Sequence, residues 1–247
     1  MPKINTILFD CDNTLVLSEE LAFEASAEVL NEICTAKGVN LEQKFTGPQL
    51  IVEFVGQNFR GMVRSLSERF GFQVTPEELE DYVRREETAV IAKLRAALKP
   101  CPGVDAQLDR LAAHGKYKLA IVSSSALRRV NASIEKVGHD RFFDPNHVFS
   151  AASSLHPPNS KPDPAIYLHA MKVLGKTADE CVAVEDSKSG TLSATRAGIK
   201  TIGYIGPYED DKKPEMEKVL RDAGAVVIMK DWSEFEDCLD KIEALNQ

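Results

Sequence analysis

The chain has 247 residues, 43% of them hydrophobic and 28% charged, and its 38 acidic against 30 basic groups leave a net charge of −8. That acidic balance argues against a general nucleic-acid binder, and no apolar run approaches the roughly 20 residues of a membrane-spanning helix. What remains is a globular protein long enough to bury a sizeable core.

The first predicted strand, Thr6–Asp12, begins with the apolar run Ile7, Leu8 and Phe9 and ends in Asp10 and Asp12. Two carboxylates at the end of a buried strand repel each other and lose hydration, which is costly unless something compensates. In an extended strand, residues two apart point the same way, so Asp10 and Asp12 are expected to face one group. Cys11 between them reads as a small buried residue. Three helical segments follow: EELAFEASAEVLNEI, GPQLIVEFVGQNFRGMVRSLSERFG and TPEELEDYVRREETAVIAKLRAAL. The last opens with Thr75 as N-cap, Pro76 behind it and Glu78 three residues on, a capping box. KPCPGV, at 99–104, then breaks the helical pattern.

Four further strands are predicted: Tyr117–Ser123, Glu180–Glu185, Lys200–Ile205 and Ala225–Met229. Gly115, Gly175, Gly198 and Gly224 stand where helix C-caps belong. Strands alternating with helices predict an α/β fold around a parallel sheet. A βαβ unit needs only about 30 residues, whereas the first strand ends near residue 12 and the second near 123. A helical domain over 16–98, inserted into a core of 1–15 and 99–247, resolves the mismatch. The pairs Arg84–Arg85 and Arg128–Arg129 read as solvated helix faces. Trp232, Phe235, Leu239, Ile242 and Leu245 fall at helical spacing and read as core packing. Five cysteines, odd in number and never spaced C-x-x-C, fit reduced thiols better than disulfides or a zinc site. Together with a start, MPKINT, that lacks a secretory leader's apolar stretch, they predict a cytoplasmic protein.

In parallel sheets of this kind, ligands bind beyond the carboxyl ends of the strands. Asp10 and Asp12 lie there, as do Ser123, Ser124 and Ser125, and Glu185 with Asp186; SKPDP, carrying Lys161, follows the second strand and its helix. Four carboxylates share one site only if a cation neutralises them, and their oxygens suit Mg²⁺. The lysine, the serine hydroxyls and nearby backbone N–H groups suit a phosphate dianion. One aspartate is then placed to attack phosphorus, and the other to protonate the leaving oxygen and later activate water. The three serines would also cap the helix before ALRRV, a role compatible with anion binding.

With DCDNT as D-x-D-x-T, LAIVSS as an apolar strand ending in serine, SKPDP as lysine before proline, and VAVEDSKSG with its trailing ATRAGI, the chain resembles the haloacid dehalogenase (HAD) superfamily. The resemblance covers essentially the whole length and is to members with a helical cap after the first motif. It implies a Rossmann-like parallel-sheet core with an inserted α-helical cap. It further implies that Asp10 is a nucleophile forming an aspartyl-phosphate and Asp12 the general acid/base. Ser123, Ser124 and Lys161 would hold the phosphoryl group. Asp10, Asp12 through its carbonyl, and Asp186 would hold Mg²⁺, with Glu185 as a further ligand or a support for one. The implied activity is Mg²⁺-dependent hydrolysis of a small phosphorylated metabolite, a sugar or polyol phosphate before a nucleotide or a phosphoglycolate-type acid. Dehalogenases of the superfamily lack the second aspartate. Its sugar phosphomutases, similar to β-phosphoglucomutase, carry a cap histidine twelve residues beyond the nucleophile, where this chain has Ala22. A non-catalytic phosphate-binding regulator is the alternative from another class. In this superfamily the cap selects the leaving group, which makes Gly56 and Arg60 in FVGQNFRGM candidate substrate contacts. A monomer with no nucleic-acid or membrane partner is expected.

Overall fold

The computed structural model describes residues 4–245 except 55 and 56. The chain divides into two compact units, Met1–Leu17 with Lys99–Gln247, and Ser18–Leu98. In chain order the second unit holds helices α1 (Glu19–Ala36), α2 (Gly47–Glu53), α3 (Phe59–Phe70) and α4 (Pro76–Ala97). The first unit holds strands β1 (Thr6–Phe9), β2 (Lys118–Ser123), β3 (Val148–Ser150), β4 (Cys181–Glu185), β5 (Lys200–Tyr204) and β6 (Val227–Met229). Its helices are α5 (Val104–His114), α6 (Leu127–Val137), α7 (Ala165–Leu174), α8 (Lys188–Arg196), α9 (Lys213–Asp222) and α10 (Phe235–Ala244).

The strands pair in parallel in the order β3-β2-β1-β4-β5-β6. The chain runs outward from β1 through β2 to β3 and then returns to β4 on the other side of β1. The boundary between β1 and β4 is therefore the point where strand order reverses, and a parallel sheet opens a crevice there beyond the strand ends. In register, Phe9 lies opposite Ile121 on one side and Val184 on the other, so Asp10 follows directly into that crevice.

Both sheet faces are covered, which is why the strands read as continuous apolar runs rather than alternating ones. Leu8, Ala120, Val122 and Ala183 pack with Ile166, Ala170 and Met171 of α7 and Ala194 of α8. On the opposite face Phe9 meets the rings of Phe143, Trp232 and Phe235 at centroid distances of 6.1, 6.1 and 6.2 Å. The C-terminal stripe is thus core: Trp232, Phe235, Leu239 and Ile242 are buried, and it ends at Leu245, which is 58% exposed. The second unit has its own apolar core, built on Leu30 and Ile33 of α1, Leu50 of α2, Val63 and Leu66 of α3 and Leu79 of α4. Thr75 caps α4 as expected, accepting from the Glu78 N–H at 3.2 Å while its own N–H donates to Glu78 Oε2 at 2.9 Å.

Three expectations change. The first strand stops at Phe9, with one further ladder bond from Asp10 N–H to the Val184 carbonyl at 3.0 Å. Asn13 then takes a left-handed φ of 56°, a conformation asparagine tolerates, and the N–H groups of Leu15 and Val16 return to the Cys11 carbonyl. A sixth strand, β3, adds an edge to the sheet; three residues are too few to show periodicity. The long second helical segment divides into α2 and α3, because Asn58 starts a new helix by accepting from the Gly61 N–H at 3.0 Å.

Removing the indole that closes the aromatic cluster leaves a cavity that the sheet cannot collapse around. Trp232→Ala should cost ~3–5 kcal/mol of unfolding free energy, whereas Leu245→Ala should stay within about 0.5 kcal/mol. Denaturant unfolding checks both, and equal effects would mean that the C-terminal segment is not core.

Candidate active site

Asp10 follows β1, Glu185 ends β4, and Lys161 arrives on the loop that leads into α7. The Lys161 ammonium donates to Asp10 Oδ1 at 2.6 Å, Glu185 Oε1 at 2.6 Å and the Val122 carbonyl at 2.7 Å. All three of its N–H donors are used. The three side chains are 3%, 10% and 0% exposed. Burial works against the lysine's charge, but Asp10 and Glu185 hold it protonated well above the ordinary range. Burial also raises both carboxylates, Glu185 to about 7, because one ammonium cannot neutralise the two acids it touches. The charge of Asp12 raises Asp10 further.

Tyr167, buried on α7, donates its hydroxyl to Glu185 Oε1 at 2.5 Å. On the other side of the carboxylate lies Gly190, in the first turn of α8, where Ser187 caps the helix by accepting the Gly190 N–H at 3.1 Å. A β-carbon at position 190 would fall 1.7 Å from Glu185 Oε2, so only glycine leaves that carboxylate its place.

Asp10, Glu185 and Asp186 are all buried, and each offers an oxygen within 4.8 Å of the others'. Glu185 Oε2 has no hydrogen-bond partner among the described residues. An orphaned carboxylate oxygen in a cluster of buried acids costs free energy that a bound cation removes. A donor set of carboxylate oxygens fits a hard divalent cation.

Asp12 turns elsewhere. The Ser125 hydroxyl donates to its Oδ2 at 2.6 Å, and Arg129 Nη2 donates to its Oδ1 at 3.1 Å. This gives the two carboxylates different cationic partners, and the strand itself ends before Asp10. The Arg129 contact corrects the reading of Arg128–Arg129 as a solvated pair, since only Arg128 is exposed. Ser123 is buried and its Oγ accepts the Ser125 N–H at 3.0 Å, while Ser124 is exposed. The serines do not cap α6; Ser153 accepts the Leu127 N–H at 3.1 Å instead.

Sequence reasoning named Asp10, Asp12, Ser123, Ser124, Lys161, Glu185 and Asp186, placed Ser125 at the same strand end without its contact to Asp12, and missed Arg129, Tyr167 and Gly190. A signal existed for two of these. An arginine in the first turn of a helix opposes the helix dipole, and a tyrosine within an apolar helix face needs a partner for its hydroxyl. In the second unit, the Arg60 guanidinium grips both oxygens of Glu80, linking α3 to α4. Gly56 lies outside the described residues.

The model of the haloacid dehalogenase-like hydrolase family matches residues 7–204. The chain is 29% identical over 228 residues to a phosphorylated carbohydrates phosphatase of Thermotoga maritima, covering 92% of this chain and 94% of that protein. It is 27% identical over 205 residues to the 6-phosphogluconate phosphatase of Escherichia coli, covering 83% and 84%. A crystal structure of a haloacid dehalogenase-like protein from Agrobacterium tumefaciens superposes with a TM-score of 0.73 at 26% identity, over 97% of this chain and 99% of that one. The match spans the strands that carry Asp10, Ser123 and Glu185, and the chain belongs to the haloacid dehalogenase-like hydrolases.

Proposed function

We propose that the protein is a Mg²⁺-dependent phosphatase that hydrolyses a small phosphorylated metabolite through an aspartyl-phosphate on Asp10. The observation that carries this reading is the buried ammonium of Lys161, 2.6 Å from both Asp10 and Glu185 at the point where strand order reverses. A carboxylate alone repels a phosphate dianion. A lysine and a cation beside it make its approach feasible.

A carboxylate oxygen of Asp10 forms a bond to phosphorus as the ester P–O bond breaks, and Asp12 gives a proton to the departing alkoxide. In the second half, Asp12 takes a proton from water, the water oxygen attacks phosphorus, and the P–O bond to Asp10 breaks to release phosphate. Lys161 holds Asp10 in place and balances charge that builds on the phosphoryl oxygens. The Ser123 hydroxyl, at the end of β2, donates to one of these. Asp10, Asp186, the Asp12 carbonyl and Glu185 would hold Mg²⁺, which supplies charge neutralisation at the phosphoryl oxygens when bound.

Sugar or polyol phosphates are the favoured substrates. The T. maritima and E. coli relatives are named for a phosphorylated carbohydrate and a sugar-acid phosphate. Hydrolysis is favoured over phosphoryl transfer within a sugar because Ala22 offers a buried methyl group where a mutase would need a proton relay. We place Ser18–Leu98 as the cap of the enzyme, acting on the leaving group, in a cytoplasmic monomer.

Excess EDTA should abolish release of inorganic phosphate from phosphorylated metabolites, and Mg²⁺ should restore it; full turnover in metal-free buffer would contradict the reading. Lys161→Met should lower activity by orders of magnitude and should also change how stability depends on pH. Without the ammonium, Asp10 and Glu185 keep protons in the folded state to a higher pH than in the unfolded chain. Stability is then lost as pH rises from the ordinary carboxylate range through the raised values. In EDTA, the deficit relative to the parent protein should be small near pH 5 and ~3–5 kcal/mol near pH 8. Denaturant unfolding at the two pH values measures this, and an equal deficit at both would remove Lys161 from its assigned charge-balancing role.

A further inference from the structure

We infer that Arg129, with Ser125, is a positioning residue that holds the Asp12 carboxylate for proton transfer. The inference rests on the reading of Asp12 as the general acid/base. Both carboxylate oxygens are engaged, one by each residue, and the arms of this clamp come from the same unit as Asp12 itself.

The clamp is stiff. Ser125 is fixed by its N–H to Ser123 Oγ at 3.0 Å and by its carbonyl, which accepts from Ser150 Oγ at 2.7 Å, so β2 and β3 both anchor it. Arg129 is the third residue of α6, where the dipole of the helix disfavours a cation. Placed there without an acid nearby it would be destabilising; beside Asp12 the unfavourable position is offset by a charge-assisted hydrogen bond. The Arg129 side chain is 21% exposed and the Asp12 side chain 27%, so the pair is partly desolvated. Its neighbour Arg128 is exposed.

The geometry also separates the two aspartates. Lys161 draws Asp10 toward Glu185, and Arg129 draws Asp12 toward the start of α6. A general acid that lay against the nucleophile could not also reach the leaving oxygen. By holding Asp12 to one side, Arg129 leaves room between the two carboxylates for the reacting group. An arginine that served chiefly to bind a second anionic group of the substrate would instead present its guanidinium free of an internal acid.

The test is a double-mutant cycle read with substituted phenyl phosphates of graded leaving-group acidity. Arg129→Met should lower kcat by ~10- to 100-fold, leave KM within about twofold, and make the rate more dependent on leaving-group acidity; Arg129→Lys should restore part of the loss. In the Asp12→Asn background, Arg129→Met should change kcat by less than about twofold, because the group that it positions is gone. A raised KM with unchanged kcat, or an undiminished loss in the Asp12→Asn background, would overturn the inference. So would a wild-type rate for Arg129→Met while Asp12→Asn is impaired. A fully active Asp12→Asn would overturn the acid/base reading beneath it. Should Arg129→Met fail to fold, Ser125→Ala in the same cycle carries the decision, with the same outcomes on either side.

Discussion

A buried ammonium between two carboxylates governs this molecule. Lys161 has spent its three donors on Asp10, Glu185 and a strand carbonyl, and none of the three side chains has more than slight access to water. Buried ion pairs seldom repay their desolvation as stability, so the arrangement makes sense as a site held ready for an anion and a cation together. Everything nearest to it serves to keep it in register. Tyr167 bonds Glu185 from one side, Gly190 leaves the carboxylate its room on the other, and the reversal of strand order between β1 and β4 brings the three charged groups to one place.

Much of this was legible in the sequence because it depends on short-range rules. Apolar strands buried on both faces, glycines after helices and the capping box at Thr75 are written locally and survive into the structure. The clustering of Asp10, Ser123, Glu185 and Asp186 follows once the strands are taken as parallel, since the strands then end at the same edge, while Lys161 arrives on the loop before α7. The 86 residues between Asp12 and Lys99 likewise mark an insertion without any knowledge of contacts.

What escaped is what depends on direction rather than position. The spacing of Asp10 and Asp12 did not disclose that β1 ends at Phe9, that Asn13 turns the chain, or that the two carboxylates take different partners. Whether Arg129 faced solvent or the site depended on the rotation of α6 against β2, which two adjacent arginines do not disclose. Gly190 resembles any helical glycine until a carboxylate is found where its β-carbon would be. The edge strand β3 is too short for periodicity to register. In each case a tertiary contact, and not a local preference, decides the outcome.

The most direct test of the central claim is to trap the covalent intermediate. Asp12→Asn keeps the proposed nucleophile and its lysine but removes the group proposed to activate water, so the second half-reaction should lag behind the first. Mixed with an activated aryl phosphate and Mg²⁺, quenched and weighed intact, this variant should gain the mass of one phosphoryl group, and borohydride reduction should locate it on Asp10. Turnover without covalent phosphate, or label on any residue other than Asp10, would contradict the assignment of Asp10 as the group that Lys161 holds for attack.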